Sequence, residues 1–439
     1  MEEQQAKITV IIGPNGCGKT QWVEQLRRRL ASDRVRYVAF SDAYGPATDK
    51  AYYLQLRWNQ HDIDQETPLV GQLLDRAYQL AGGDSPERQR LRDHLYQLFD
   101  IGPLLDKYVI LLSSGELRKF QLIKTLLSNP LTLILDNPFI GLDAETRASL
   151  RQLLLQLARE QRLSLYLVLA KDDELPDYAD EVVRLGHYAP TPSWGLNDGQ
   201  RQQLLSLPSP SVGNSSQAAP IVIDMHQVAI RYGERTILSN LDWQVRQGER
   251  WALSGQNGSG KSTLLSLVCA DNPQSYACDI ALFGHRRGSG ESIWEIKRRI
   301  GYVSPEMHRS YQRDLPAINV VASGLKDTVG LYVRPSQTDL EQSRWWMRLF
   351  CVEQLASRSF LHLSSGEQRL VLVARAFVKD PELLILDEPL HGLDDQNRHL
   401  VRNIIETFCQ RPGKTLIMVT HYEEELPPCI NKRLYLKRQ

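Results

Sequence analysis

The sequence predicts an α/β protein made of two tandem units that repeat one another, each built around a parallel sheet. Three observations predict it. Short, continuous apolar runs alternate with helix-compatible stretches. One set of motifs occurs twice in a single register. The composition is that of an ordinary globular chain: over 439 residues, 42% are apolar and 24% charged. That length suggests two or three domains, and that balance a well-buried core.

The elements follow in chain order. Ile8-Thr9-Val10-Ile11-Ile12 is a continuous apolar, β-branched run ending in glycine, the pattern of a strand buried on both faces of a parallel sheet. Helix-compatible sequence runs from Thr20 to about Leu30. Further buried-strand runs occur at Leu131–Leu135, Leu165–Leu169, Leu383–Leu386 and Leu416–Val419. Strands alternating with helices give each half its own α/β sheet.

The duplication is explicit. Leu112-Ser113-Ser114-Gly115-Glu116 recurs as Leu363-Ser364-Ser365-Gly366-Glu367, Leu133–Asp136 as Leu384–Asp387, Gly141-Leu142-Asp143 as Gly392-Leu393-Asp394, and Leu175-Pro176 as Leu426-Pro427. Every pair is 251 positions apart (387 − 136), so the register runs without a net gap from Ser113 to Pro176. The stretch 191–220 is rich in Pro, Ser, Gly, Asn and Gln and reads as a loose linker. The expected domains are 1–190, the linker 191–220, and 221–439.

Composition also excludes. Lys+Arg and Asp+Glu are both 52, which argues against a chain that grips nucleic acid by neutralising phosphates. The cysteines Cys17, Cys269, Cys278, Cys351, Cys409 and Cys429 show no metal-ligand spacing, and Met1-Glu2-Glu3 opens no signal peptide. They read as free, mostly buried thiols in a reducing cytosol. No apolar run approaches the roughly 18 residues of a membrane span. A cytoplasmic chain that meets the inner face of a membrane only through a partner is expected.

Chemistry enters with two matches to G-x-x-x-x-G-K-[ST]. They are Gly13-Pro14-Asn15-Gly16-Cys17-Gly18-Lys19-Thr20 and Gly255-Gln256-Asn257-Gly258-Ser259-Gly260-Lys261-Ser262, the second followed by Thr263. Glycines let the backbone turn its N–H groups onto phosphates at a helix N-terminus. Lys19 or Lys261 is placed to reach the β- and γ-phosphates, and the hydroxyl of Thr20 or Ser262 to ligate Mg²⁺. Asp136 and Asp387, each ending a buried strand, are the expected carboxylates on the magnesium side.

Phosphate loop, L-S-x-G-E signature, apolar-Asp-x-Pro and G-L-D stand in the order of the ABC-type ATPases, which the chain resembles over nearly its whole length outside the linker. The signature discriminates, because other phosphate-loop families lack it. Its Ser113, Ser114, Gly115 and Ser364, Ser365, Gly366 precede helices expected to begin near Leu117 and Gln368, whose N-termini can face an anion. The resemblance implies two tandem ABC-type nucleotide-binding domains, each with a RecA-like α/β core and a helical subdomain. A small antiparallel β subdomain is truncated in the first, where only 12 residues precede Gly13. It implies ATP and Mg²⁺ as ligands, ATP hydrolysis, and head-to-tail docking of the cassettes around two nucleotides.

The resemblance also assigns roles, unequally. Glu388 falls where the family polarises the attacking water, His421 where a switch histidine meets the γ-phosphate, and Tyr232 where an aromatic ring stacks on adenine. In the first half Asp136 is followed by Asn137, and Ala170 stands opposite His421, with Lys171 next to it. The site of Tyr232, Lys261, Ser262, Asp387, Glu388 and His421, completed by Ser113, Ser114 and Gly115, is expected to hydrolyse. That of Lys19, Thr20, Asp136, Asn137 and Ala170, with Ser364, Ser365 and Gly366, is expected to bind ATP and turn over slowly or not at all. The family's glutamine is replaced by Pro305 and Glu306 after Ile300-Gly301-Tyr302-Val303, and by Ser41-Asp42 after Tyr37-Val38-Ala39-Phe40.

A narrower likeness, over Phe283–Glu291, Ile293–Lys297 and Ile300–Ser304, is to tandem-cassette molybdenum-transport ATP-binding proteins. It suggests the ATPase subunit of a transporter, with an integral-membrane permease as partner and molybdate or another anion as cargo. A soluble ABC protein acting on ribosomes or nucleic acid, and a nucleotide-responsive regulator, are the competing readings. Arg286 and Arg287 read as a solvated loop, Trp345-Trp346 as helix packing, and Arg27-Arg28-Arg29 as an exposed helix face.

Overall fold

The computed structural model describes residues 7–437 except 15–16, 31–33, 40–67, 110–111, 113, 140–141, 143, 161–162, 171–173, 187–194, 209–219, 233–234, 257, 306, 308–310, 312–313 and 329–333. The chain divides into two compact units, Met1–Ala189 and Pro190–Gln439.

In the first unit β1 (Ile8–Ile12), β2 (Val35–Ala39), β3 (Thr132–Asp136), β4 (Ser164–Leu169) and β5 (Glu181–Arg184) form one sheet in the order β2-β3-β4-β1-β5. Every pairing is parallel. The interior strands read as unbroken apolar runs because helices cover both faces; all five residues of β1 are buried. The helices Val70–Leu80, Pro86–Leu98 and Ser114–Leu126 pack through Leu74, Leu95, Phe99 and Leu122 into the same core.

The second unit first lays down β6 (Ile221–Tyr232), β7 (Arg235–Arg246), β8 (Arg250–Gly255), β9 (Asp279–Leu282) and β10 (His285–Arg286). It then adds β11 (Ile300–Val303), β12 (Leu383–Asp387), β13 (Thr415–Val419) and β14 (Lys432–Leu436). Its parallel sheet has the order β11-β12-β13-β8-β14, strand for strand the order of the first unit. β10-β9-β6-β7 make a separate antiparallel sheet with no counterpart among the described residues of the first unit. A helical layer, Ala317–Ser323, Gln337–Leu349 and Ser365–Phe377, closes over Trp346, Phe350 and Phe377, with Trp346 and Phe377 centroids 5.4 Å apart. Trp345 and Trp346 do pack as a helix pair against this core.

Four local readings are corrected. The stretch read as a loose linker contains the helix Asp198–Leu205, started by a capping box between Asn197 and Gln200. Its Leu204 is fully buried in the second unit's core, and Arg411 Nη2 donates to the carbonyls of Leu207 (3.3 Å) and Pro208 (3.0 Å) beyond it. Arg287 is not solvated: its side chain is buried, ion-paired to Glu291 and stacked on Tyr276, whereas Arg286 is exposed. All six cysteines are free, but only Cys269 and Cys409 are buried. The signature helices begin three residues earlier than expected, at Ser114 and Ser365. In the second, Ser364 and Glu367 cap each other, Ser364 N donating to Glu367 Oε2 at 2.8 Å and Glu367 N to Ser364 Oγ at 3.4 Å. Among the described residues no helix is long and apolar enough to cross a membrane.

Candidate functional site

Both candidate sites lie at the carboxyl ends of the parallel strands, where open α/β sheets place ligands. In each sheet the strand next to the β5 or β14 edge, β1 or β8, runs into its phosphate loop and then into a helix, Lys19–Arg29 or Lys261–Val268. Each helix is entered through a glycine in the left-handed region, Gly18 at φ 93° and Gly260 at φ 91°, which a side chain would strain. Gly255 is fixed on both counts: its φ is 150°, and a Cβ there would lie 2.4 Å from the Leu436 carbonyl oxygen and 2.7 Å from Ser259 Oγ.

The two lysines sit alike. Lys19 Nζ donates to the carbonyls of Gly13 (2.5 Å) and Pro14 (2.8 Å), and Lys261 Nζ to those of Gly255 (2.6 Å) and Gln256 (3.0 Å). Each ammonium is thus held over its own loop. Thr20 and Ser262 are exposed at the helix starts; Gly258 lies within the second loop and Thr263 follows it. Asn15, Gly16, Asn257, Ser113, Lys171, Glu306, Ser41 and Asp42 lie outside the described residues, as do the side chains of Ser114 and Tyr232; Gly115 is described by its backbone alone.

β3 and β12 each end in a carboxylate. Asp387 is buried at the end of β12. Asp136 accepts hydrogen bonds on both oxygens, from Tyr37 Oη at 2.9 Å and Asn137 Nδ2 at 3.0 Å. Burial pushes its carboxyl up, and the Tyr37 hydrogen bond only partly opposes this. Mg²⁺ usually takes one or two carboxylates and completes its shell with water and phosphate oxygens. Asp387 with Ser262, and Asp136 with Thr20, fit that donor set. Among the described residues no group of three or more His, Cys, Asp or Glu is arranged to hold a metal ion.

The next residue separates the units. Glu388 and Asn137 share a left-handed backbone, φ 49° and 52°, and their N–H groups donate to the matching strand-end carbonyls of Val419 (2.8 Å) and Val168 (2.9 Å). Glu388 Oε1 lies 3.1 Å from His421 Nε2, and Oε2 lies 2.9 Å from His391 Nδ1. The three side chains are 17%, 10% and 9% exposed, in the order Glu388, His421, His391. Burial alone would raise the Glu388 carboxyl. The hydrogen bonds from His391 and His421 outweigh it and hold the group well below the ordinary glutamate range. Two residues here escaped the sequence reading. His391 is one. The other is Arg369, on the signature helix, which donates to the carbonyls of Glu388 (2.7 Å) and Ser304 (3.2 Å). It ties that helix to the strand-end turn and to the segment leading into Pro305.

The sequence and the fold are similar to those of known proteins. The family model for ABC transporters matches residues 1–140 and 238–391. The chain is 35% identical over 451 aligned positions to the ABC transporter ATP-binding protein ModF of Escherichia coli (strain K12), covering 96% of this chain and 90% of that protein. It is 31% identical over 398 positions to an uncharacterised ABC transporter ATP-binding protein of Schizosaccharomyces pombe, covering 88% of this chain and 80% of the other. Among solved structures, an RNase-L inhibitor covers 98% of this chain at TM-score 0.51 and 17% identity, a likeness of fold alone.

Proposed function

Because the chain belongs to the ABC transporter family and is an ABC-type ATPase, we propose that its second cassette hydrolyses ATP while its first chiefly binds it. The observation that supports this is the buried Glu388 carboxylate between two imidazoles at the end of β12, against Asn137 in the same backbone conformation in the first unit.

In the proposed mechanism the phosphate loops bind the triphosphate through backbone N–H groups, with Lys261 or Lys19 leaving its loop carbonyls for the phosphates. Mg²⁺ bound with the nucleotide would be held by Ser262 and Asp387, or Thr20 and Asp136, and supplies charge neutralisation at the phosphates. Glu388, ionised and oriented by His421, accepts a hydrogen bond from the attacking water and takes its proton as the bond to the γ-phosphorus forms and the bond from that phosphorus to the bridging oxygen of the departing ADP breaks. An amide at position 137 can orient water and cannot accept that proton. Tyr232 is assigned the adenine face of the second site.

We further infer that the chain serves as the ATPase subunit of a transporter and reaches a membrane through an integral-membrane permease, with a small oxyanion such as molybdate as the proposed cargo. Pro305 in place of the family's glutamine points to a modified coupling to that partner. Nucleotide counting tests the core of this reading. With a non-hydrolysable analogue the intact chain should bind two nucleotides. After turnover of Mg-ATP it should retain one as ATP and one as ADP. A stoichiometry of one, or two ADP, would refute it.

A further inference from the structure

We propose that His391 is a positioning residue for hydrolysis, gripping the Glu388 carboxylate on the oxygen that His421 does not touch. This rests on the reading of Glu388 as the base, and extends it to a residue outside the motifs that identified the site.

The grip follows from a local turn. After β12 the chain folds back so that His391 N donates to the Glu388 carbonyl at 3.1 Å, and the same turn sets its imidazole Nδ1 2.9 Å from Oε2. An ionised carboxylate only accepts, so Nδ1 must carry the proton in this contact. The other ring nitrogen, Nε2, is buried and has no hydrogen-bond partner among the described residues. The ring therefore has one polar contact to make, and makes it with Glu388. Each carboxylate oxygen offers two acceptor sites. The two imidazoles use one apiece, leaving one on each oxygen for water. The backbone is fixed as well, by Val419 and Arg369. The carboxylate is held at both oxygens and at both backbone groups, the preorganisation a proton acceptor needs if binding is not to be spent on orienting it.

The first half supplies the contrast. In the 251-residue register Glu388, His391 and His421 correspond to Asn137, Ile140 and Ala170. The carboxylate and both imidazoles are absent together, although the left-handed backbone and the strand-end hydrogen bond at Asn137 are kept. A histidine serving only the fold of this turn would have no reason to disappear with the base.

The test is steady-state phosphate release by the full-length chain, with analogue binding and thermal unfolding in parallel. His391→Ala should lower kcat by on the order of ten- to a hundredfold with KM and analogue affinity within about twofold. His391→Asn, whose side-chain N–H lies near the place of Nδ1–H, should recover most of the loss. In a Glu388→Gln background, His391→Ala should cause no further drop. Wild-type kcat in His391→Ala would overturn the proposal, as would His391→Asn performing no better than His391→Ala. Should His391→Ala unfold, the imidazole ¹⁵N shifts of the wild-type chain decide: an Nδ1–H tautomer supports the grip and an Nε2–H tautomer overturns it. Failure of the underlying reading looks different, since Glu388→Gln would then keep its turnover.

Discussion

Replacing Glu388 by Gln removes a proton acceptor and changes little else. The amide keeps the shape of the carboxylate, and its oxygen can still accept from His421 or His391. Its nitrogen then faces a ring nitrogen that donates, so one hydrogen bond is lost at a cost of about 1 kcal/mol. In a unit of this size that lowers Tm by about 2–4 °C. The backbone contacts to Val419 and Arg369 are untouched. Chemistry should suffer far more. Losing a positioned general base costs about 10²–10⁴-fold, or about 2.7–5.4 kcal/mol in the activation barrier at about 1.36 kcal/mol per tenfold. The barrier effect exceeds the stability effect severalfold, so the variant should fold, bind ATP and fail to release phosphate. Malachite-green phosphate release and fluorescent-analogue titration on the same preparation measure both quantities. Near-normal turnover with normal binding would show that the base lies elsewhere.

Three further outcomes are expected. Asn137→Glu should raise turnover no more than a few-fold, because Ile140 and Ala170 supply no imidazole to hold the new carboxylate; wild-type rates in a Lys261→Ala background would contradict this. Tyr232→Ala should weaken one of two nucleotide-binding phases several-fold, as loss of about 1 kcal/mol of stacking requires, and leave the other unchanged; equal weakening of both argues against the assignment. Stability should also respond to acid through Glu388. Its carboxyl is held below the ordinary value, so its ionised form stabilises the fold above about pH 4.3 and this contribution is lost as pH falls through the folded pKa. The stability difference between wild type and Glu388→Gln, followed by urea unfolding, should therefore shrink on acidification below about pH 4, and a widening difference would be inconsistent.

The parallel sheets were legible because strands buried on both faces leave continuous apolar runs, and β1 matches Ile8–Ile12 residue for residue. The phosphate loops were legible because tight turns demand glycine in a fixed pattern. The signature helices were placed too late because Ser-Gly looks like a loop before a helix. The Ser364…Glu367 spacing carried the correct signal, a capping box. The helix in the supposed linker announced itself in the same way through Asn197 and Gln200. His391 and Arg369 were harder, since neither belongs to a motif with its own chemistry. His391 could have been found by comparing residues after the strand-end carboxylate in the two halves. Arg369 could not, because its counterpart in that register is also arginine, Arg118, and a shared residue gives no contrast.

The left-handed backbone at Glu388 and Asn137 sets which substitutions this position can absorb. An L side chain there pays roughly 1–2 kcal/mol, glycine pays none, and asparagine and aspartate pay less than most because their short polar groups bond locally. Asn137 does so, through its contact with Asp136. A glutamate is therefore a residue the backbone disfavours and only its chemistry rewards. Where that reward is withdrawn, torsional preference alone ranks the alternatives, and it ranks asparagine near the top. On the proposed asymmetry, the amide at position 137 is the residue torsional preference selects where water need not be activated, and libraries randomised at both positions should drift to Asn, Asp and Gly in any selection for folding alone.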